Sequence, residues 1–252
     1  MASVIVKNLT MRFPVYGADN RSLKKHLARL SVGGKIGKAA GRPPVITALS
    51  NINMRLKPGD RLALIGHNGS GKTTFLRALS GAYEPDEGTI EVQGRVAALL
   101  DLSLGIDASA TGYDNIRLRG LIAGLTSKEI EQKMESIAAF TDLGGFLAMP
   151  MKTYSAGMQA RLAFAVATSV DADVLLLDEW IAVGDAKFRA AAHERLLDLV
   201  ERARILVLAS HDTQLVRYYC NKVVRFDSGT VSKVRPIDEL EDLMAVPAGT
   251  PA

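Results

Sequence analysis

Between Gly66 and Thr74 the chain reads Gly-His-Asn-Gly-Ser-Gly-Lys-Thr-Thr, which fills the pattern G-x-x-x-x-G-K-[ST] and adds a further glycine at 69. The glycines let successive backbone N–H groups converge on one anion, a geometry that bulkier residues obstruct. The flanks agree with that reading. Arg61-Leu-Ala-Leu-Ile65 is a short apolar run suited to a buried strand, and Phe75, Leu76 and Leu79 before Gly81 predict a helix over 73–79 with a glycine cap. Strand, loop and helix in this order set a helix N-terminus beneath the bound phosphates. The segment is therefore expected to bind ATP with Mg²⁺ through Gly66, His67, Asn68, Gly69, Ser70, Gly71, Lys72, Thr73 and Thr74. Lys72 supplies a compact cation to the phosphates and Thr73 offers its hydroxyl to the metal.

Two more apolar runs, Val174-Leu-Leu-Leu177 and Arg204-Ile-Leu-Val-Leu208, resemble strands buried on both faces of a parallel sheet. The first ends in Asp178-Glu179. Ligands of open α/β sheets gather at the carboxyl ends of the strands, where the glycine loop also lies. Asp178 is expected to orient Mg²⁺, and Glu179 to polarise an attacking water.

Alternating apolar and polar residues at 3–9 and 51–56, with strand material at 89–99, predict half-exposed strands. Helical spacing marks 128–140, 158–169 and 187–203, and 223–226 with 230–231 reads as a hairpin turning at Asp227-Ser-Gly229. No stretch approaches the roughly 18–20 apolar residues of a membrane span, and the N-terminus does not read as a secretory signal. One cysteine, Cys220, excludes an internal disulfide and a cysteine-rich metal site. A reduced, cytoplasmic setting is expected. The net charge is +4, yet Arg21, Lys24, Lys25, Arg29, Lys35, Lys38 and Arg42 face only Asp19 between Gly17 and Ile46. That local excess exceeds the total, so the remainder is slightly acidic and no nucleic-acid partner is expected.

Further segments narrow the class. Tyr154-Ser-Ala-Gly-Met-Gln159 opens a helical stretch, Ala182-Val-Gly-Asp185 follows the acidic pair, and Ala209-Ser-His-Asp212 follows the next buried strand. In this order the set resembles the nucleotide-binding subunit of an ABC transporter. The resemblance implies an α/β phosphate-loop NTPase fold of ABC type, with a mixed parallel core sheet, an antiparallel β subdomain and a helical subdomain at about 102–166. It implies one ATPase domain over 1–245, a basic insertion at about 17–46 and a tail at 246–252. Ser155 and Gly157 look like the signature motif, Asp185 the D-loop acid and His211 the switch histidine. Phe13 or Tyr16 would stack on adenine, and both stay open. The family works as a head-to-tail pair, so a second copy of this chain would complete each ATP site.

The signature reads Tyr-Ser-Ala-Gly-Met, Trp180-Ile-Ala-Val-Gly-Asp-Ala-Lys-Phe188 follows Glu179, and Val96–Gly105 stands where a glutamine loop is usual. These features are similar to ATPases that export bacterial surface polysaccharides, O-antigen exporters and their teichoic-acid and capsule relatives. The resemblance implies a polytopic permease partner, a lipid-linked polysaccharide cargo and a place on the cytoplasmic face of the inner membrane. Asp101 sits nearest the family's glutamine, where it would touch Mg²⁺ or water, or serve the loop that couples ATP closure to the permease. Leu23, Leu27 and Leu30 among the basic residues form an amphipathic pattern. It suits lipid headgroups, the membrane partner or the glycan's diphosphate end, and equally a leucine face packed on the domain's own core. Some such exporters carry a C-terminal carbohydrate-binding domain, which this chain is expected to lack.

Overall fold

The computed structural model describes residues 2–15, 35–37, 44–100, 105–179 and 186–245. Tyr16, Asp101, Asp185, most of the basic segment and the tail at 246–252 lie outside the described residues.

Two compact units emerge, one of residues 1–94, 176–179 and 204–252, the other of 95–175 and 180–203. The first holds two sheets. One is antiparallel, β1 (Ser3–Pro14), β2 (Lys35–Gly37), β3 (Val45–Leu56) and β5 (Glu87–Gln93) in the order β2-β3-β1-β5. Alternation in β3 sends Ile52, Met54 and Leu56 inward and Asn51, Asn53 and Arg55 outward. Within the span read as a basic insertion, β2 adds an edge strand, with Ile36 opposite Ile46.

The second sheet runs β10 (Thr230–Val231), β9 (Lys222–Asp227), β4 (Arg61–Ile65), β8 (Ile205–Ala209), then β7 (Val174–Asp178), with β11 (Arg235–Pro236) on β9. β4 pairs in parallel with both β8 and β9. Every residue of β8 is fully buried, as are Leu62, Ala63 and Leu64 of β4. Coverage of both faces is why these runs are apolar without alternation. Helix α1 (Lys72–Leu79) follows β4 and packs Phe75 on Phe226 of β9, ring centres 5.4 Å apart. It ends as expected: Gly81, at φ +78°, donates to Ala78 O and Ala82 donates to Arg77 O, closing the helix through a left-handed glycine. The hairpin β9–β10, α6 (Thr213–Tyr219) and α7 (Leu240–Ala245) complete this unit. Cys220 is buried, and burial pushes its thiol up to about 12, which removes thiolate chemistry.

The other unit carries β6 (Val96–Leu99), α2 (Gly112–Ile122), α3 (Ser127–Thr141), α4 (Ala156–Ala167) and α5 (Ala186–Arg202). Thr111 with Asp114 and Thr126 with Glu129 form capping boxes at the starts of α2 and α3. Ile116, Ile137, Leu147, Met151, Tyr154 and Leu162 pack into one core. Phe140 stands edge-on to Phe188 of α5 at 5.3 Å.

Candidate nucleotide site

The loop after β4 and the ends of β7 and β8 bound a cavity of about 570 Å³. Its lining includes Asn68, Gly69, Gly71, Lys72, Thr73 and Thr74 from the loop, Asp178 and Glu179 from the end of β7, and His211. Residues far apart in the sequence thus meet where β4, β7 and β8 all end.

Backbone conformation explains the glycines. Gly66 stands at φ +140°, and a Cβ there would lie 2.3 Å from Phe226 O. Gly71, at φ +111°, would place a Cβ 2.9 Å from Ala48 O. Neither position tolerates a side chain, so the loop passes close under its neighbours. Gly71 is also the residue before α1, whose first turn adds N–H groups there.

The Lys72 ammonium donates to Gly66 O at 2.7 Å and His67 O at 3.2 Å. Burial pulls its pKa below the ordinary lysine value, and the carboxylates of Asp178 and Glu179 oppose that pull. Thr73 Oγ1 donates to Asp178 Oδ2 at 2.6 Å, both residues half-buried. A hydroxyl and a carboxylate side by side are the hard oxygen donors that Mg²⁺ takes, together with water and substrate phosphate. The donor set fits Mg²⁺.

Glu179 lies just past β7 in a left-handed conformation, φ +67°, which is costly for a residue with a Cβ. Its N–H donates to Ala209 O at 2.8 Å, and Ser210 Oγ donates to its Oε2 at 3.2 Å. His211 Nε2 is 3.7 Å from Glu179 Oε1 and 3.0 Å from Asn68 Oδ1. The carboxylate, the imidazole and the loop amide form one connected group at the cavity mouth. A carboxylate can accept a hydrogen bond from water, and an imidazole can donate one to an anionic oxygen.

His67 turns elsewhere, its Nδ1 2.8 Å from Asn68 O and its Nε2 3.5 Å from Asp227 Oδ1. Ser70 is wholly buried. Phe13 is not part of the cavity lining; its ring packs edge-on against Tyr83 at 5.4 Å. Ile46, opposite Phe13 in the β1–β3 pair, lines the cavity instead, with Ala48. Ser155 and Gly157 belong to the other unit. Ser155 caps α4 by accepting Met158 N–H at 3.3 Å, and a Cβ on the exposed Gly157 would meet only Ser155 Oγ, at 3.9 Å. Both stand on an open helix N-terminus.

Four residues contribute to the site without a sequence signal that marks them for it. Ile46 and Ala48 form the apolar wall, and nothing in a strand's alternation marks them for a ligand. Gly229 braces the loop: its N–H donates to Ser70 O at 3.0 Å and its carbonyl accepts from Ser50 N–H at 2.8 Å. The hairpin signal Asp-Ser-Gly was visible, but its tertiary contact was not. Ser210 adjoins His211 in sequence and carried no signal of its own.

Comparison with known proteins agrees with this geometry. Residues 49–182 match the ABC transporter family, described as "ABC transporter". An O-antigen export system ATP-binding protein, RfbE of Yersinia enterocolitica, is 42% identical over 92% of this chain and 97% of its own. RfbB of Myxococcus xanthus, similarly named, is 37% identical over 93% of this chain, which spans 53% of that longer protein. A teichoic acids export ATP-binding protein, TagH of Lactiplantibacillus plantarum, is 31% identical over 95% of this chain and 63% of its own. Among solved structures, a dimeric ATP-binding cassette in a post-hydrolysis state with ADP and Pi superposes with a TM-score of 0.64 at 19% identity, over 93% of this chain and 98% of that one. With its phosphate loop, acidic strand end and histidine gathered in one cavity, this chain belongs to the ABC transporter family, as an ATP-binding ATPase subunit.

Proposed function

We propose that this chain hydrolyses Mg²⁺·ATP to drive export of a lipid-linked surface polysaccharide through a separate membrane permease. The observation that carries the reading is the meeting of Lys72, Thr73, Asp178, Glu179 and His211 in one cavity, in a chain similar along its length to an O-antigen export ATP-binding protein.

The phosphates lie on the N–H groups of the loop from Gly66 to Thr74, and Lys72 exchanges its carbonyl partners for phosphate oxygens. Bound Mg²⁺, held by Thr73 and Asp178, would neutralise charge on the phosphates. Glu179 holds the attacking water and draws on its proton, while His211, positioned by Asn68, reaches the terminal phosphate. The adenine lies toward Ile46 and Ala48, and Phe13 or Tyr16 would stack on it.

A single copy leaves the terminal phosphate open on one side. Ser155 of the partner subunit and Gly157 of the partner subunit close it from the exposed N-terminus of one helix, α4, and Asp185 serves the interface between copies. Asp101 would serve the loop that couples closure to the permease, or touch Mg²⁺ or water. A permease partner is supported by exposed Leu118, Leu121 and Ile122 on one face of α2, with Phe146 and Met149 also exposed in that unit. Among the described residues no helix is long and apolar enough to cross a membrane.

Complementation tests this function. In cells lacking the gene, the wild-type chain restores polymer at the surface and Lys72→Ala leaves it inside. Restoration by Lys72→Ala would remove ATP hydrolysis here as the driving step.

A further inference from the structure

Glu179 presents a difficulty as the residue that holds water. Its side chain is about half exposed. An exposed glutamate samples several rotamers, and a base that wanders is a poor base. Two features counter this. The left-handed φ of +67° turns the residue sharply as the chain leaves β7, with its N–H fixed on Ala209 O. The carboxylate is then met by the hydroxyl of Ser210.

Ser210 differs from its neighbours in burial. It is only 2% exposed, whereas Glu179, His211 and Asn68 are all exposed. Its hydroxyl accepts the N–H of Asp212 at 3.1 Å. That bond fills an acceptor site and leaves the single hydroxyl proton to be donated to Glu179 Oε2 at 3.2 Å. Asp212 is itself immobilised as the N-cap of α6, accepting from Gln214 N–H at 2.8 Å and Leu215 N–H at 3.2 Å. The anchor is therefore a rigid helix start. Glu179 and Ser210 are each the first residue after adjacent strands, β7 and β8, so the sheet itself sets their spacing.

We infer that Ser210 is a positioning residue that holds the Glu179 carboxylate in its water-binding orientation by tying it to the start of α6. The inference rests on the role proposed above for Glu179 and deepens it. Ser210 is not among the residues that line the cavity; it acts through Glu179. Oε2 is taken by Ser210 and Oε1 faces His211, so the carboxylate enters the reaction with one oxygen anchored and the other presented to the cavity.

Steady-state ATP hydrolysis by the full chain tests this with Ser210→Ala, Ser210→Thr, Glu179→Gln and the double variant Glu179→Gln with Ser210→Ala. Ser210→Ala is expected to lower kcat about tenfold with KM for ATP unchanged, a loss of orientation without a loss of binding. Ser210→Thr, which keeps the hydroxyl, restores most of kcat. In the Glu179→Gln background, whose slow residual turnover is followed over hours, Ser210→Ala has no further effect. An unchanged kcat in Ser210→Ala overturns the inference. So does an equal loss in both backgrounds, which would mark Ser210 as merely structural. Wild-type turnover by Glu179→Gln would overturn the role of Glu179 and this inference together. An inactive Glu179→Gln beside a fully active Ser210→Ala would overturn the inference alone.

Discussion

Thr73 and Asp178, on the helix after the glycine loop and at the end of β7, share a hydrogen bond of 2.6 Å. The two sequence features that define the site are thus in direct contact. A hydroxyl and a carboxylate this close are a pair of hard oxygen donors that fits Mg²⁺.

That contact makes the metal dependence of Thr73 variants specific. Thr73→Val keeps the shape and removes the oxygen. It is expected to lower Mg²⁺-dependent hydrolysis about a hundredfold or more, while ATP binding measured in EDTA changes little. Thr73→Ser retains most activity. Equal loss of binding with and without Mg²⁺ would show that Thr73 acts in packing.

Gly229 should matter more than its distance in sequence from the loop suggests. It stands at φ +83°, and a Cβ would lie 2.7 Å from Ala48 O in β3. Gly229→Ala is expected to cost about 2 kcal/mol or more of stability and to weaken ATP binding through Ser70. Gly144 also has positive φ, +52°, but nothing lies within 4 Å of its would-be Cβ. Gly144→Ala should cost about 1 kcal/mol and leave ATP affinity intact. Denaturant titration and nucleotide binding on both variants separate clash from conformational strain.

Glu129 makes the helical unit sensitive to acid. The Thr126 N–H and hydroxyl, with Arg95, bring its carboxyl from 4.5 down to about 2. A depressed carboxyl stabilises the fold above the unfolded value and loses that contribution as pH falls through the folded one. The difference in Tm between wild type and Glu129→Gln should therefore be greatest above pH 4.5 and narrow toward pH 2. A gap independent of pH would exclude the ionised cap as its cause.

How much of this was legible in the sequence depended on whether physics wrote a local pattern. Strands β4, β7 and β8 are covered on both faces, so their uninterrupted apolar runs announced them. The glycine loop was legible because its φ values exclude side chains. Helix α2 was not. Its inward face carries Asn115, wholly buried, and Arg119 alongside Ile116, so no apolar period is written there. Asn115 instead donates to Asp107 O and Thr111 O, both at 2.9 Å, tying down the preceding loop. The capping box at Thr111 and Asp114 was the available signal for that helix. Helices α6 and α7, with seven and six residues, are too short for periodicity to register. Contacts such as Gly229 with Ser70, or Ser210 with Glu179, arise only when distant strands align. Their residue types are ordinary, and position alone gives them a role.

One copy is expected to carry half of each ATP site, with a second copy supplying Ser155 and Gly157. Sedimentation velocity of Glu179→Gln with saturating Mg²⁺·ATP tests it most directly. A dimer is expected that forms with ATP, is absent with ADP, and is lost when Ser155→Arg is added. A chain that binds ATP yet sediments only as a monomer would contradict it.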